Sequence, residues 1–236
     1  MGVRSPSAVR NLALLVAIVL SVGACSYVGF QEKYAGSPTF VLVVAAPTVL
    51  FAAVGLYFAH RDGVLGDLLR VRGGDFSRGF IATAVVFAGA WGFTRFFAPV
   101  GSDRESWLAR LYLQLGAPSM LRARVASVVA VFIVTALSEE ILWRGLVPSL
   151  VEERVGSRRA WMVSAGLYAL AHLPVAWSLR VGDAGLNPVI PLAALGCGLV
   201  WGGMARRFGR LWPGIFSHIL FDWAAVMMFR FWGPSL

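Results

Sequence analysis

Charge is scarce in this chain: only 14% of its 236 residues are charged, where a soluble domain carries about 25%. A water-soluble fold is excluded on that ground. Lysine is nearly absent, since Lys33 is the one lysine among 21 basic residues, and this arginine bias reads as composition rather than function. Cysteine is limited to Cys25 and Cys197, each inside an apolar run and neither in a CxxC pair. That excludes a disulfide framework and a thiolate metal site. There is no HExxH, no internal repeat and no low-complexity tract. The net charge of +9 does not point to nucleic acid, because a chain this apolar places its basic residues at lipid headgroups.

What is abundant is hydrophobic sequence, at 58% of residues. Seven helices of about 20 residues, each long enough to cross ~30 Å of hydrocarbon, would account for that fraction. Apolar stretches bounded by Arg, Gly, Pro or Asp fall near 11–30, 38–59, 79–98, 125–143, 160–177, 188–205 and 212–232. None shows the ten-residue alternation of a barrel strand, and a spanning segment must satisfy its own backbone hydrogen bonds. The expected fold is all-α, a polytopic transmembrane bundle of about seven to eight helices. The first run ends Val22-Gly23-Ala24-Cys25, similar to a lipobox, but continues through Tyr27, Val28 and Phe30, so it is read as a retained helix.

Orientation follows from arginine in the connections. A cytoplasmic N-terminus puts Arg4, Arg10, Arg61, Arg70, Arg72, Arg78, Arg154, Arg158, Arg159, Arg206, Arg207 and Arg210 inside. The stretch 99–124 is the exception, with Arg104, Arg110, Arg122 and Arg124 outside, and its Trp107, Leu108, Leu111 and Leu115 fit an interfacial amphipathic helix. In the sixth run, Gly198 and Gly202 form a GxxxG suited to close helix packing. The chain is expected as a multi-pass protein of a bacterial cytoplasmic membrane.

An ionisable side chain near the bilayer centre costs about 3 kcal/mol on insertion scales, so the few polar residues inside apolar runs are informative. The fourth run carries Ser138-Glu139-Glu140-Ile141-Leu142-Trp143-Arg144, two adjacent carboxylates ahead of an expected helix end. The fifth carries Tyr168 and His172, and the seventh His218 and Asp222, each pair spaced i,i+4 on one helix face. Glu140 and Arg144 share that spacing and are expected to pair. Glu139, about 100° away around the helix, then faces a different neighbour. Glu139, His172 and His218 converging from three helices around a small wet cavity would suit amide hydrolysis. A carboxylate takes a proton from water, one imidazole positions that water or returns the proton, and the other donates to the oxyanion. Asp222 is expected to orient His218 by accepting its second N–H.

Glu139-Glu140-x-x-x-Arg144, Tyr168-x-x-x-His172 and His218-x-x-x-Asp222, in that order on successive apolar helices, resemble the three motifs of the CPBP intramembrane endopeptidases. That family includes type II CAAX prenyl proteases and bacteriocin-processing and abortive-infection proteins. The resemblance runs from Ser138 to Asp222 and implies a glutamate-dependent intramembrane peptidase. Its catalytic residues would be Glu139, His172, His218 and Asp222, with Glu140, Arg144 and Tyr168 in support. Two positions depart from the family pattern: Tyr168 stands where Phe is usual, and Asp222 where the prenyl-protein proteases have Asn. Residues 121–236 are therefore expected to form the catalytic bundle, and residues 1–120 an N-terminal set of spans without a recognised motif. The expected partners are the bilayer and a membrane-anchored protein or peptide substrate, and no cofactor is expected. The alternatives are a zinc protease, with Glu139, His172 and His218 as ligands, and a proton-coupled carrier. Against the carrier, the chain has no duplicated halves.

Overall fold

The computed structural model describes residues 6–233. Eleven α-helices follow one another in these residues: α1 (Pro6–Gly29), α2 (Pro38–Arg61), α3 (Leu65–Leu68), α4 (Asp75–Phe97), α5 (Glu105–Leu115), α6 (Pro118–Ala123), α7 (Val125–Glu140), α8 (Val147–Val155), α9 (Ser157–Ser178), α10 (Val189–Phe208) and α11 (Trp212–Trp223). There is no β-strand among the described residues beyond the isolated bridge Val181–Gly185. Among the described residues, six helical segments are long and apolar enough to cross a bilayer: Val9–Gly29, Pro38–Arg61, Asp75–Phe97, Val125–Val155, Ser157–Ser178 and Val189–Phe208. The protein is a multi-pass integral membrane protein.

Two boundaries differ from those expected. The run 212–232 folds as α11, of 12 residues, continued by a π-helical turn of 5 at Ala224–Met228, short of the ~20 residues of an ordinary span. The fourth run does not end at Trp143: α7 passes through a π-helical turn at Ile141–Leu146 directly into α8, making one rod of 31 residues. Pro148 has no N–H to give the carbonyl one turn back, and the wider π turn before it absorbs that loss without breaking the rod. Glu139 and Glu140 consequently sit in the middle of a long helix, not at its end.

The ends of the helices sort into two layers. In one, Leu211 N–H bonds Leu68 O at 3.0 Å, Trp212 Nε1 bonds Leu69 O at 2.6 Å, and Arg206 donates to Ser157 O at 2.6 Å. There Asp75 caps the Arg72 amide at 2.8 Å and takes two nitrogens of Arg210, tying the start of α4 to the α10–α11 turn. Gly209, at φ 65°, supplies the left-handed residue that ends α10. In the other layer α5 is the organiser. Gln114, fully buried, donates to Gly29 O at 3.1 Å; Trp107 donates to Ala184 O at 3.1 Å; and Asn187 donates to the Trp107 carbonyl at 2.9 Å. The apolar stripe foreseen around Trp107 and Leu111 is thus docked on protein, with Leu111 against Phe30, Val175 and Leu179. Tyr112 Oη donates to Ala225 O at 2.5 Å, so the chain after α11 reaches the α5 layer although it starts in the opposite one.

Lipid is as apolar as leucine, so helices in a bilayer associate through close packing. Small residues mark the contacts. A Cβ on Gly198 would stand 3.0 Å from Ala165 Cβ, and one on Gly202 3.4 Å from Trp161, so the GxxxG face of α10 lies on α9. Gly55 on α2 faces Leu146, and Gly23 on α1 faces Ala171 O. The main apolar cluster joins Leu15, Ile18 and Val22 of α1 to Leu142, Trp143, Leu146, Tyr168 and Ala171. Gly79 is a close α4–α11 contact, where a Cβ would meet Phe216 Cβ at 2.9 Å and Pro213 O at 3.0 Å. Gly79→Val is therefore expected to destabilise the fold by about 1–3 kcal/mol through overpacking. Gly89→Val, on the same helix with nothing within 4 Å of its added Cβ, serves as the control, and unfolding midpoints in detergent compare the two.

Candidate active site

Glu139 and Glu140 leave the α7 rod in different directions, and His218 of α11 is placed between them. Its Nδ1 lies 3.2 Å from Glu140 Oε1 and its Nε2 lies 3.9 Å from Glu139 Oε2. Asp222, one turn further along α11, approaches the same Nε2 at 3.8 Å. The orienting partner of His218 Nδ1 is thus Glu140, whereas Asp222 had been expected to play that part. An i,i+4 neighbour on the same helix reaches only the nitrogen turned along the helix axis. Glu140 comes from the facing helix and takes the other.

Glu140 is fully buried and also pairs with Arg144, whose Nη1 stands 3.2 Å from the same Oε1. The contact is ionic rather than an aligned hydrogen bond, because both Arg144 Nη atoms and Glu140 Oε2 lack a well-directed partner among the described residues. Aromatic faces compensate. The Arg144 guanidinium lies 4.7 Å from the Tyr168 ring centre and 5.1 Å from that of Trp201. Trp201 in turn stacks on His218, with ring centres 4.0 Å apart and planes 22° apart. Tyr168, Arg144, Trp201 and His218 form one column drawn from α9, the π turn, α10 and α11. Trp201 Nε1 donates to Ser217 Oγ at 2.9 Å, and Thr83 of α4 donates to the Ser217 carbonyl at 3.2 Å, locking the column to its neighbours.

His172 reaches the site through Tyr168. Its Nδ1 is 2.8 Å from the Tyr168 carbonyl, which can only accept, so Nδ1 carries the proton and Nε2 is the open nitrogen of the neutral ring. The two rings meet edge to face at 4.7 Å. The Tyr168 hydroxyl donates to Glu139 Oε2. No carboxylate oxygen lies within 4.0 Å of the His172 ring nitrogens among the described residues, so His172 and Glu139 are linked by Tyr168 and by whatever solvent or substrate stands between them. Glu139, with 17% of its side chain exposed, and Asp222, with 25%, are the accessible members; Glu140 and Arg144, at 0% and 2%, are not. The Glu139–Asp222 side is therefore the one open to solvent. A cavity of about 170 Å³ behind the site is lined by Arg144, Ser164, Tyr168, Gly198 and Arg206, and neither Glu139 nor a histidine borders it.

Two residues at the site had no signal in the motif reading. Trp201 stands beside Gly202 in the GxxxG helix, and a bulky ring among glycines on a packing face is the trace it leaves. Gly214 leaves none. A Cβ there would come within 2.7 Å of Glu140 Oε2, so any larger residue would force the buried carboxylate to shift. Gly214→Ala is expected to displace Glu140 and lower catalytic turnover. Arg144→Leu, which removes the arginine cation from beside the buried Glu140 carboxylate, is expected to cost about 3–5 kcal/mol of stability. Thermal unfolding in detergent and turnover on a membrane-tethered peptide would read both.

No curated protein and no solved structure matches the chain. A family model does, over residues 121–224, under the description "Type II CAAX prenyl endopeptidase Rce1-like". That segment carries every side chain of the site from Glu139 to Asp222, together with Trp201 and Gly214. Residues 121–224 of this membrane protein are thus similar to the Rce1-like type II CAAX prenyl endopeptidases.

Proposed function

We propose that the chain hydrolyses a peptide bond in a membrane-associated protein or peptide, with Glu139 as the general base and no metal ion. The observation that carries the reading is Glu139 itself: an accessible carboxylate inside a membrane bundle, held by Tyr168 and adjacent to His218, in a segment matching an endopeptidase family. Glu139 takes a proton from a water as its oxygen attacks the scissile carbonyl carbon. His172, presenting Nε2 as its open nitrogen, holds that water. His218 acts as the imidazolium, with Nδ1–H to Glu140 and Nε2–H directed at the developing oxyanion. When the tetrahedral intermediate collapses, the C–N bond breaks and the proton taken up by Glu139 passes to the leaving amine. The products are one carboxylic acid and one amine.

The donor arrangement supports the metal-free form. Glu140 is committed to Arg144 and His218, and no group of three or more His, Cys, Asp or Glu side chains suited to a metal ion occurs among the described residues. The layer bearing Arg70, Arg72, Arg154, Arg158, Arg206 and Arg210 is assigned to the cytoplasm by the positive-inside rule.

The test is cleavage in membranes of a panel of tethered substrates: a prenylated peptide ending in CAAX, a leader peptide and a C-terminal membrane-sorting helix. Glu139→Gln and His172→Ala are each expected to lose at least about 100-fold in kcat/KM, the usual worth of a positioned acid or base. Activity is expected to survive a strong chelator. Undiminished cleavage by Glu139→Gln overturns the mechanism, and loss with the chelator restored by Zn²⁺ overturns its metal-free form.

A further inference from the structure

Tyr168 makes two contacts with the groups assigned above to water activation, from opposite ends of one residue. Its hydroxyl donates to Glu139 Oε2 and its carbonyl accepts from His172 Nδ1. The carbonyl contact is available to any residue at this position. The hydroxyl contact requires tyrosine, and this is the position where the sequence departs from the phenylalanine of the motif it resembles. The ring is held independently of the hydroxyl, by Arg144 at 4.7 Å, Trp143 at 5.2 Å and His172 at 4.7 Å. Removing the oxygen alone therefore leaves the packing intact.

Glu139 Oε2 has a competing partner. His218 Nε2 stands 3.9 Å from it, beyond hydrogen-bond range but close enough for the carboxylate to close the gap by a small rotation. Closure would join base and oxyanion donor in an ion pair and fill the space between them, where the reacting carbonyl has to enter. We infer that the Tyr168 hydroxyl is a positioning residue: it fastens Glu139 Oε2 away from His218 and leaves Oε1 for the water. This role rests on the peptidase reading. Tyr168 touches neither water nor substrate in it and acts through Glu139.

The experiment is a double-variant cycle with Tyr168→Phe, Glu139→Gln and both together, using the membrane substrate that the wild type cleaves best. Tyr168→Phe is expected to lower kcat about 10- to 100-fold, the range for misplacing a reacting group by about an ångström, with KM unchanged. On the Glu139→Gln background it is expected to change nothing further, since the group it positions is already disabled. A second cycle, on thermal unfolding with Tyr168→Phe and Glu139→Ala, reads the contact without turnover. Tyr168→Phe should lower the midpoint when Glu139 is present and leave it unchanged when Glu139 is alanine. Equal kcat for Tyr168→Phe and wild type, independent losses on the two backgrounds, or no thermal coupling overturns the inference. The peptidase reading fails differently: Glu139→Gln then retains full turnover, or the wild type cleaves nothing in the panel, and the positioning role falls with it.

Discussion

The site depends on burying the charge pair of Glu140 and Arg144 in the middle of a membrane helix. Desolvating either ion alone costs several kcal/mol, and in hydrocarbon there is no water to soften it. Their mutual contact is a single ionic approach at 3.2 Å, which leaves other polar atoms of both without a directed partner. The remaining compensation comes from elsewhere in the fold. Tyr168 and Trp201 close over the guanidinium, His218 brings an N–H to the carboxylate, and Gly214 removes the one Cβ that would keep α11 from Glu140. They come from three separate helices, α9, α10 and α11, so the pair can be buried only when all are assembled. The residues that stabilise the pair are also the ones that set out the accessible groups around it.

That assembly explains the irregular helices. An unbroken α-helix through residues 125–155 would meet Pro148 without an amide to offer. The π turn at Ile141–Leu146 widens the helix between the two glutamates and the proline, and it is the segment that carries Arg144 into the aromatic column. A second π turn begins at Ala224, two residues after Asp222. Such π turns inside α-helices are frequent at functional sites. Around them, Gly79 brings α4 onto α11, Gly198 brings α10 onto α9 and Gly214 brings α11 onto α7, close enough for side chains of moderate length to meet. The accessible carboxylates are thus left on one side and the dry ion pair on the other.

Much of this could be read from the chain before folding. Low charge and long apolar runs dictated a helical membrane protein, and i,i+4 spacing paired Glu140 with Arg144. Polar residues stranded in apolar runs pointed to Glu139, Tyr168, His172, His218 and Asp222. Two other matters were not legible. The rod from Val125 to Val155 looked finished at Trp143 because Arg144 resembles a terminating charge, and only the aromatic faces of Tyr168 and Trp201 explain how it stays inside. The partner of His218 could be judged only by proximity along one helix, which favoured Asp222, whereas the Nδ1 contact comes from Glu140 across a helix interface.

The division follows from the range of the forces involved. Hydropathy and helical periodicity are properties of neighbouring residues, so the amino-acid sequence alone determined the class of fold, the set of candidate groups and which of them share a helix face. Which nitrogen of a histidine meets which carboxylate, which oxygen of Glu139 is occupied by Tyr168, and that Gly214 and Trp201 belong to the site at all depend on distances between separate helices. Those distances are set by side-chain volumes packed across an interface, and only the tertiary structure decided them.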